Sequence, residues 1–202
     1  MDKLTDQQVI DKLNLQQRSI IAHEGIAYAT SRQGVERKLV ILAEKNDARV
    51  KEYEGLQSPF NNKILVMADL SEHNAAVIRS QLPWLNPQLT DLKTSAGLGD
   101  RLGLATPGHV RAVRDCAGKI TPIFAQQSIR EMARTGRTPQ QVMDDALWGM
   151  LEENWQEGFG ADADHLKTTH DIDACLDAGF TFFTIDPGEY VNNEGEYASK
   201  AE

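Results

Sequence analysis

The sequence predicts an α/β fold: a partial (β/α)8 TIM-type barrel of about four strand-helix units over residues 91–202, preceded by an N-terminal α+β capping subdomain over residues 1–90. Three observations carry this. From about residue 95, short β-branched and aromatic runs alternate with helical stretches, the pattern of parallel strands joined by crossover helices. Each run ends in polar residues: Asp100-Arg101, Gln126-Gln127-Ser128, Asp164-His165 and Asp186-Pro-Gly-Glu189. In a barrel the C-terminal ends of the strands converge on one site, whereas a doubly wound sheet carries GxGxxG after its first strand. The nearest approach, Gly97-Leu-Gly99-Asp-Arg-Leu-Gly103, has its third glycine one residue late.

Residues 1–90 read differently. A short helix is expected near 5–13, then apolar alternating stretches at 20–29 and 38–43 around the polar turn Ser31-Arg32-Gln33-Gly34, then a strand at 63–68. Ser71 caps a helix that stops before Pro83, and Pro83-Trp-Leu-Asn-Pro87 reads as a linker. This part shows no chemistry.

In the second part, 95–104 is a glycine-containing strand and loop. Thr106-Pro107 opens a helix with Val110 and Val113 on one face and Gly118 after its end. A strand at 119–125 follows. Thr138-Pro-Gln-Gln141 is a capping box, and Met143, Leu147 and Met150 share a face of a helix that ends by Gly158. The next strand is 161–166. Thr168 with Asp171 caps a helix carrying Ile172, Cys175 and Leu176, closed by Gly179 before a fourth strand at 180–185. A closed barrel needs eight strands in ~250 residues, so four units suggest an incomplete barrel.

A hydrophobic content of 41% with 25% charged residues is that of an ordinary globular protein. Neither a membrane-length apolar run nor a signal peptide is present, which makes a cytoplasmic location the expectation. Cys116 and Cys175 lack metal-site spacing and read as small buried hydrophobes. The net charge of −9 argues against nucleic acid. It is uneven: residues 140–202 hold 15 acidic side chains against 2 basic ones. That is either a solvated acidic surface or, in part, a metal site.

Asp164-His165, with Asp162 two residues before, is the sharpest constellation. Neighbours on a strand point to opposite faces, but at a strand's last residue the chain turns and both side chains can reach the barrel mouth. A neutral imidazole is a common metal ligand, and the adjacent carboxylate can move a proton on a substrate that the metal holds. The alternative is a surface aspartate beside a capping histidine. Asp186 and Glu189 flank the Pro187-Gly188 turn and either cap it or reach metal or substrate hydroxyls. Asp100, Arg101, Gln126 and Gln127 offer hydrogen bonds to a substrate, and the Arg130 guanidinium can clamp a carboxylate through two parallel bonds. Arg130, Arg134 and Arg137 all follow the second strand, which suits an anionic substrate or a solvated basic loop equally. His23, His73, His109 and His170 read as surface or capping residues, and Trp84, Trp148 and Trp155 as packing residues.

The segments Gly99-Asp-Arg-Leu-Gly-Leu-Ala-Thr-Pro-Gly-His109, Ala125-Gln-Gln-Ser-Ile-Arg-Glu131, Arg134-Thr-Gly-Arg-Thr-Pro139, Gly158-Phe-Gly-Ala-Asp-Ala-Asp-His-Leu-Lys167 and Thr181-Phe-Phe-Thr-Ile-Asp-Pro-Gly-Glu189 resemble, in the same order, the tagaturonate (fructuronate/tagaturonate) epimerase family. The resemblance is close over residues 95–191 and implies a metal-dependent isomerase that interconverts D-fructuronate and D-tagaturonate in uronate catabolism. Family members are about twice this length. A weaker similarity to class II metal-dependent aldolases implies His165 as a ligand of a divalent cation, Zn, Mn, Co or Ni, and Asp164 as the proton acceptor or donor. The inverted carbon is β to the ketone, so reversible aldol cleavage suits the reaction where simple α-deprotonation does not. The resemblance thus names a small-molecule sugar acid as partner, with no nucleic acid and no membrane. The alternatives are a class II-type aldolase that releases its fragments, or a non-catalytic sugar-acid-binding fragment that self-associates through open barrel edges.

Overall fold

The computed structural model describes residues 3–116 and 120–196, so Gly118 and Lys119, the expected helix end and strand start, lie outside the described residues. The chain begins with helix α1 (Gln7–Leu13), whose first turn is capped by the Asp6 carboxylate. Strands β1 (Ile21–His23), β2 (Ile26–Gln33), β3 (Glu36–Glu44), β4 (Gly55–Phe60) and β5 (Lys63–Ala68) form an antiparallel sheet in the order β1-β2-β3-β5-β4. The apolar run at 20–29 is two strands, because Glu24 and Gly25 both take positive φ and make a two-residue hairpin turn. Strand β4 had no sequence signal. Its Pro59 is accommodated because β4 is an edge strand, where a missing N–H breaks no ladder.

Both faces of this sheet are covered. Ala27, Ala29, Val40 and Leu42 pack on Leu4, Ile10 and Leu15, while Ile26, Tyr28, Leu39 and Ile41 face the main core. Two covered faces explain why Leu39 to Ala43 is apolar without alternation. Helix α2 (Glu72–Gln81) follows, with the Ser71 hydroxyl accepting from the Asn74 amide as its spacing predicts. A single turn of tighter helix, Pro83–Leu85, leads to the second sheet.

That sheet is a parallel half-barrel of four strands in sequential order: β6 (Ser95–Gly97), β7 (Thr121–Ser128), β8 (Gly160–Leu166) and β9 (Phe182–Ile185). Helix α3 (Thr106–Asp115) links β6 to β7; α4 (Ile129–Thr135) and α5 (Pro139–Glu152) link β7 to β8; α6 (Thr169–Asp177) links β8 to β9. The expected boxes at Thr138–Gln141 and Thr168–Asp171 are both reciprocal. Two details differ from expectation. Helix α4 lies where a basic loop was an option, opened by Ser128, whose hydroxyl accepts from the Glu131 amide. Helix α5 ends at Glu152, ahead of Gly158.

Helix α5 sits between the sheets and buries Val142, Met143, Ala146, Leu147, Trp148, Met150 and Leu151. It packs closely on α3, where a Cβ on Gly149 would come within 2.6 Å of Thr106 Cβ. Three acids here depart from the solvated-surface reading, which Glu157, Asp173, Asp177 and Glu189, all exposed, follow. Asp144 meets Arg79 at 2.7 Å, Glu152 lies 3.8 and 3.9 Å from Arg32 and Arg37, and Glu153 is ringed by Arg18, Arg111 and Arg114. Acids on and beside α5 thus neutralise four arginines from the N-terminal part, Arg18, Arg32, Arg37 and Arg79, and two from α3. Cys175 is buried as expected and its thiol is pushed up to about 11 by burial, but Cys116, at the end of α3, is exposed. Among the described residues no helix is long and apolar enough to cross a membrane.

Candidate active site

The strand register decides which side chains meet. Gln126 pairs with Asp162 and Ser128 with Asp164 across β7 and β8. Residues two apart share a face, so Gln126, Ser128, Asp162 and Asp164 form two layers on one side of the sheet. Gln127 therefore faces the other way. It is 1% exposed and accepts a 2.5 Å bond from Arg137 Nη1, while its amide donates to the Thr135 hydroxyl.

Strand β8 does not end at Asp164. Its register against β9 shifts between Ala163 and Leu166, so two residues of β8 face one of β9, and Leu166 pairs again with Ile185. This bulge carries Asp164 and His165, the latter at φ +57, and it corrects the expectation that a turn at the strand end brings them together. His165 Nδ1 donates to Asp164 Oδ1 at 2.6 Å. The carboxylate thus fixes the ring and leaves Nε2 as the nitrogen able to bind a ligand.

The pair lines a cleft of about 710 Å³, together with Asp100, Arg101, Gln126, Ser128, Arg130 and Glu131. A side pocket of about 310 Å³ opens between Arg130, His165, Lys167 and Asp186. Asp100 borders the cleft, but its carboxylate is occupied: it accepts the amides of Leu102, Leu104, Ala105 and Thr106. It, and not Thr106, satisfies the start of α3. Burial works against its ionisation, yet the four amides outweigh burial and hold its carboxyl below the usual range. Arg101 pairs with Glu131 at 2.5 Å across the cleft mouth. Asp186 accepts from the Gly188 amide and lies 3.7 Å from Lys167 Nζ; Glu189, outside both cavities, lies 3.3 Å from the same nitrogen. Arg137 is held by Asp145 at 2.7 Å. Arg130, by contrast, borders both cavities and makes no ion pair among the described residues.

Glu131, Lys167 and the inward direction of Asp162 were not read from the sequence. Alternation along β8 signals Asp162, since it shares the face of Asp164. Asp162 is 8% exposed and accepts a 3.0 Å bond from the Thr184 hydroxyl. Burial, followed by the Asp164 charge, pushes its carboxyl above the ordinary range against the pull of Thr184 and Gln126. No group of three or more metal-ligating side chains occurs among the described residues. A cation is accommodated only in part: His165 supplies one oriented imidazole, and further ligands have to come from elsewhere.

A family model described as tagaturonate epimerase matches residues 16–202. The chain belongs to the tagaturonate epimerase family. A tagaturonate/fructuronate epimerase from Thermotoga maritima is 49% identical over 130 residues, covering 64% of this chain and 27% of that protein. Two crystal structures of the fructuronate-tagaturonate epimerase from Cohnella laeviribosi superpose on the chain. One holds one glycerol, with a TM-score of 0.83 and 37% identity over 96% of this chain and 39% of that one. The other, with two glycerols, has a TM-score of 0.84 and 36% identity over 99% and 40%. The chain therefore spans well under half the length of these epimerases, and the half-barrel with its N-terminal sheet follows the fold of that part of them.

Proposed function

We propose that this chain carries the proton-transfer part of an isomerase active site that interconverts D-tagaturonate and D-fructuronate, a ketohexuronate pair, by breaking and remaking the C3–C4 bond. The observation that carries the reading is the Asp164–His165 pair, set by the bulge into a cleft beside the Arg130 guanidinium, which makes no ion pair among the described residues. Membership of the family and the printed activity of its relatives support the substrate.

Asp164 takes the proton from the C4 hydroxyl. The O–H electron pair becomes the C4 carbonyl as the C3–C4 bond breaks, and the electrons of that bond pass to the C2 carbonyl as an enediolate. The aldehyde turns its other face, C3 attacks again, and Asp164 returns the proton to O4. Arg130 receives the substrate carboxylate through two parallel bonds. Gln126 and Arg101 border the cleft and Asp186 the side pocket, where they meet substrate hydroxyls. His165 is held in one orientation by Asp164 for a divalent cation, Zn, Mn, Co or Ni, whose remaining ligands lie outside the described residues. When bound, such a cation supplies Lewis-acid stabilisation of the enediolate charge.

The test is epimerisation of D-tagaturonate by the complete protein in D2O, followed by NMR. Bond cleavage leaves the original hydrogen on C4, so the product carries no deuterium there. Deuterium at C4 would overturn the mechanism, and accumulation of two three-carbon fragments would identify an aldolase instead.

A further inference from the structure

The mechanism above leaves one buried ionisable group unused. Asp162 lies one layer beneath Asp164 on the same face of β8 and is 8% exposed, yet no arginine, lysine or histidine pairs with it among the described residues. Its hydrogen-bond partner is neutral, the Thr184 hydroxyl of β9 at 3.0 Å, and Gln126 of β7 stands opposite it in the strand register. A buried carboxylate without a cation is costly, and apolar or amide side chains fill such a position at lower cost. Its presence beneath the reacting pair calls for a task.

The contacts define that task. Gln126, opposite Asp162 in the register, reaches the loop after β6, where its Oε1 lies 2.7 Å from the place a Cβ on Gly99 would take. An acceptor-only carboxylate holds the Thr184 proton pointed at it and can take only the nitrogen end of a facing amide such as that of Gln126. The Gln126 oxygen is then the end left to face the Gly99 loop, and β8 is tied to β9 directly beneath the bulge. We propose that Asp162 is a positioning residue of this active site: by accepting from Gln126 and Thr184 it fixes the cleft floor on which the substrate hydroxyls and the Asp164 carboxylate meet. This rests on the epimerase reading.

The test uses the complete protein with its bound cation. Asp162→Asn keeps the shape but offers a donor where Gln126 needs an acceptor, so the Gln126 amide must turn over. Turnover falls about 10- to 100-fold, the range found for residues that orient catalytic groups, while KM for D-tagaturonate moves less than about threefold. The melting temperature does not fall, since an uncompensated buried charge is removed. Thr184→Val gives a smaller loss of kcat, and combining it with Asp162→Asn adds nothing further, as expected for members of one network. An Asp162→Asn protein with kcat within about twofold of wild type overturns the proposal. So does a lower melting temperature with unchanged kcat, which marks a purely structural residue. Should Asp162→Asn fail to fold, an unaffected kcat in Thr184→Val overturns it equally. A wild-type protein that does not epimerise ketohexuronates overturns the functional reading itself, whereas an active wild type with an unaffected Asp162→Asn overturns only the role of Asp162.

Discussion

Helix α5 and the inner face of the parallel sheet both bury carboxylates, and they satisfy them in opposite ways. On α5 and at its C-cap, Asp144, Glu152 and Glu153 each face guanidinium groups, six in all, from β2, β3, α2, α3 and the segment before β1. On the inner face and the loop above it, Asp100 is held by backbone amides, Asp162 by a hydroxyl, and Asp164 by an imidazole. A guanidinium partner neutralises an acid and ties it into the scaffold; neutral donors hold an acid in place and leave its charge available. The first arrangement joins the two sheets, and the second supports chemistry.

Removing one member of a scaffold pair is the largest test of that contrast. Asp144→Ala strands Arg79, whose side chain is 13% exposed, and is expected to cost roughly 3–5 kcal/mol in chemical denaturation. Replacing both partners with apolar residues should restore most of that loss. A small effect of the single change would mean that α5 tolerates an unpaired cation and that the pairing is incidental.

Asp100 comes next. Asp100→Asn should cost about 2 kcal/mol, because hydrogen bonds to a charged acceptor are replaced by weaker ones. The sign with pH follows from its depressed folded pKa: its contribution is present above the ordinary carboxylate range and is lost as pH falls through that range toward the folded value. Asp162 runs the other way. Its raised pKa makes its ionisation a burden that grows as pH rises through the carboxylate range, so the stability gap between Asp162→Asn and wild type narrows in acid. Melting curves from pH 3 to pH 7 separate the two, and parallel pH dependences would erase the distinction between them.

The smaller effects sharpen the scaffold side. Thr138→Ala removes one half of the α5 capping box and should lower stability by about 1 kcal/mol without altering KM. Leu102→Ser, at a residue 70% exposed beside the cleft, should leave stability within about 0.5 kcal/mol of wild type.

What the sequence showed and what it hid divide by range. The two capping boxes and the glycine that closes α6 are local signals, readable within four residues, and they stand in the structure as expected; the Asp164-His165 dipeptide was legible as a pair, but not the bulge that sets it. The arginine partners of Glu153 are 135, 42 and 39 residues away, so the acid-rich C-terminal stretch read as surface. Gln127 was taken with Gln126 as one polar strand end, although alternation alone separates them. The bulge at Asp164 and His165 has no glycine to announce it, and only the β9 register reveals it. Cys116 read as buried because cysteine usually is; its place at the very end of α3 exposes it.

The central claim is that an acid on the neutral-donor side of this contrast performs the proton transfer. Asp164→Asn in the complete protein, assayed for C4 epimerisation of D-tagaturonate with the fold checked by circular dichroism, tests it most directly. The account predicts that kcat falls by about a hundredfold to ten-thousandfold with the fold intact; turnover within about threefold of wild type would contradict it.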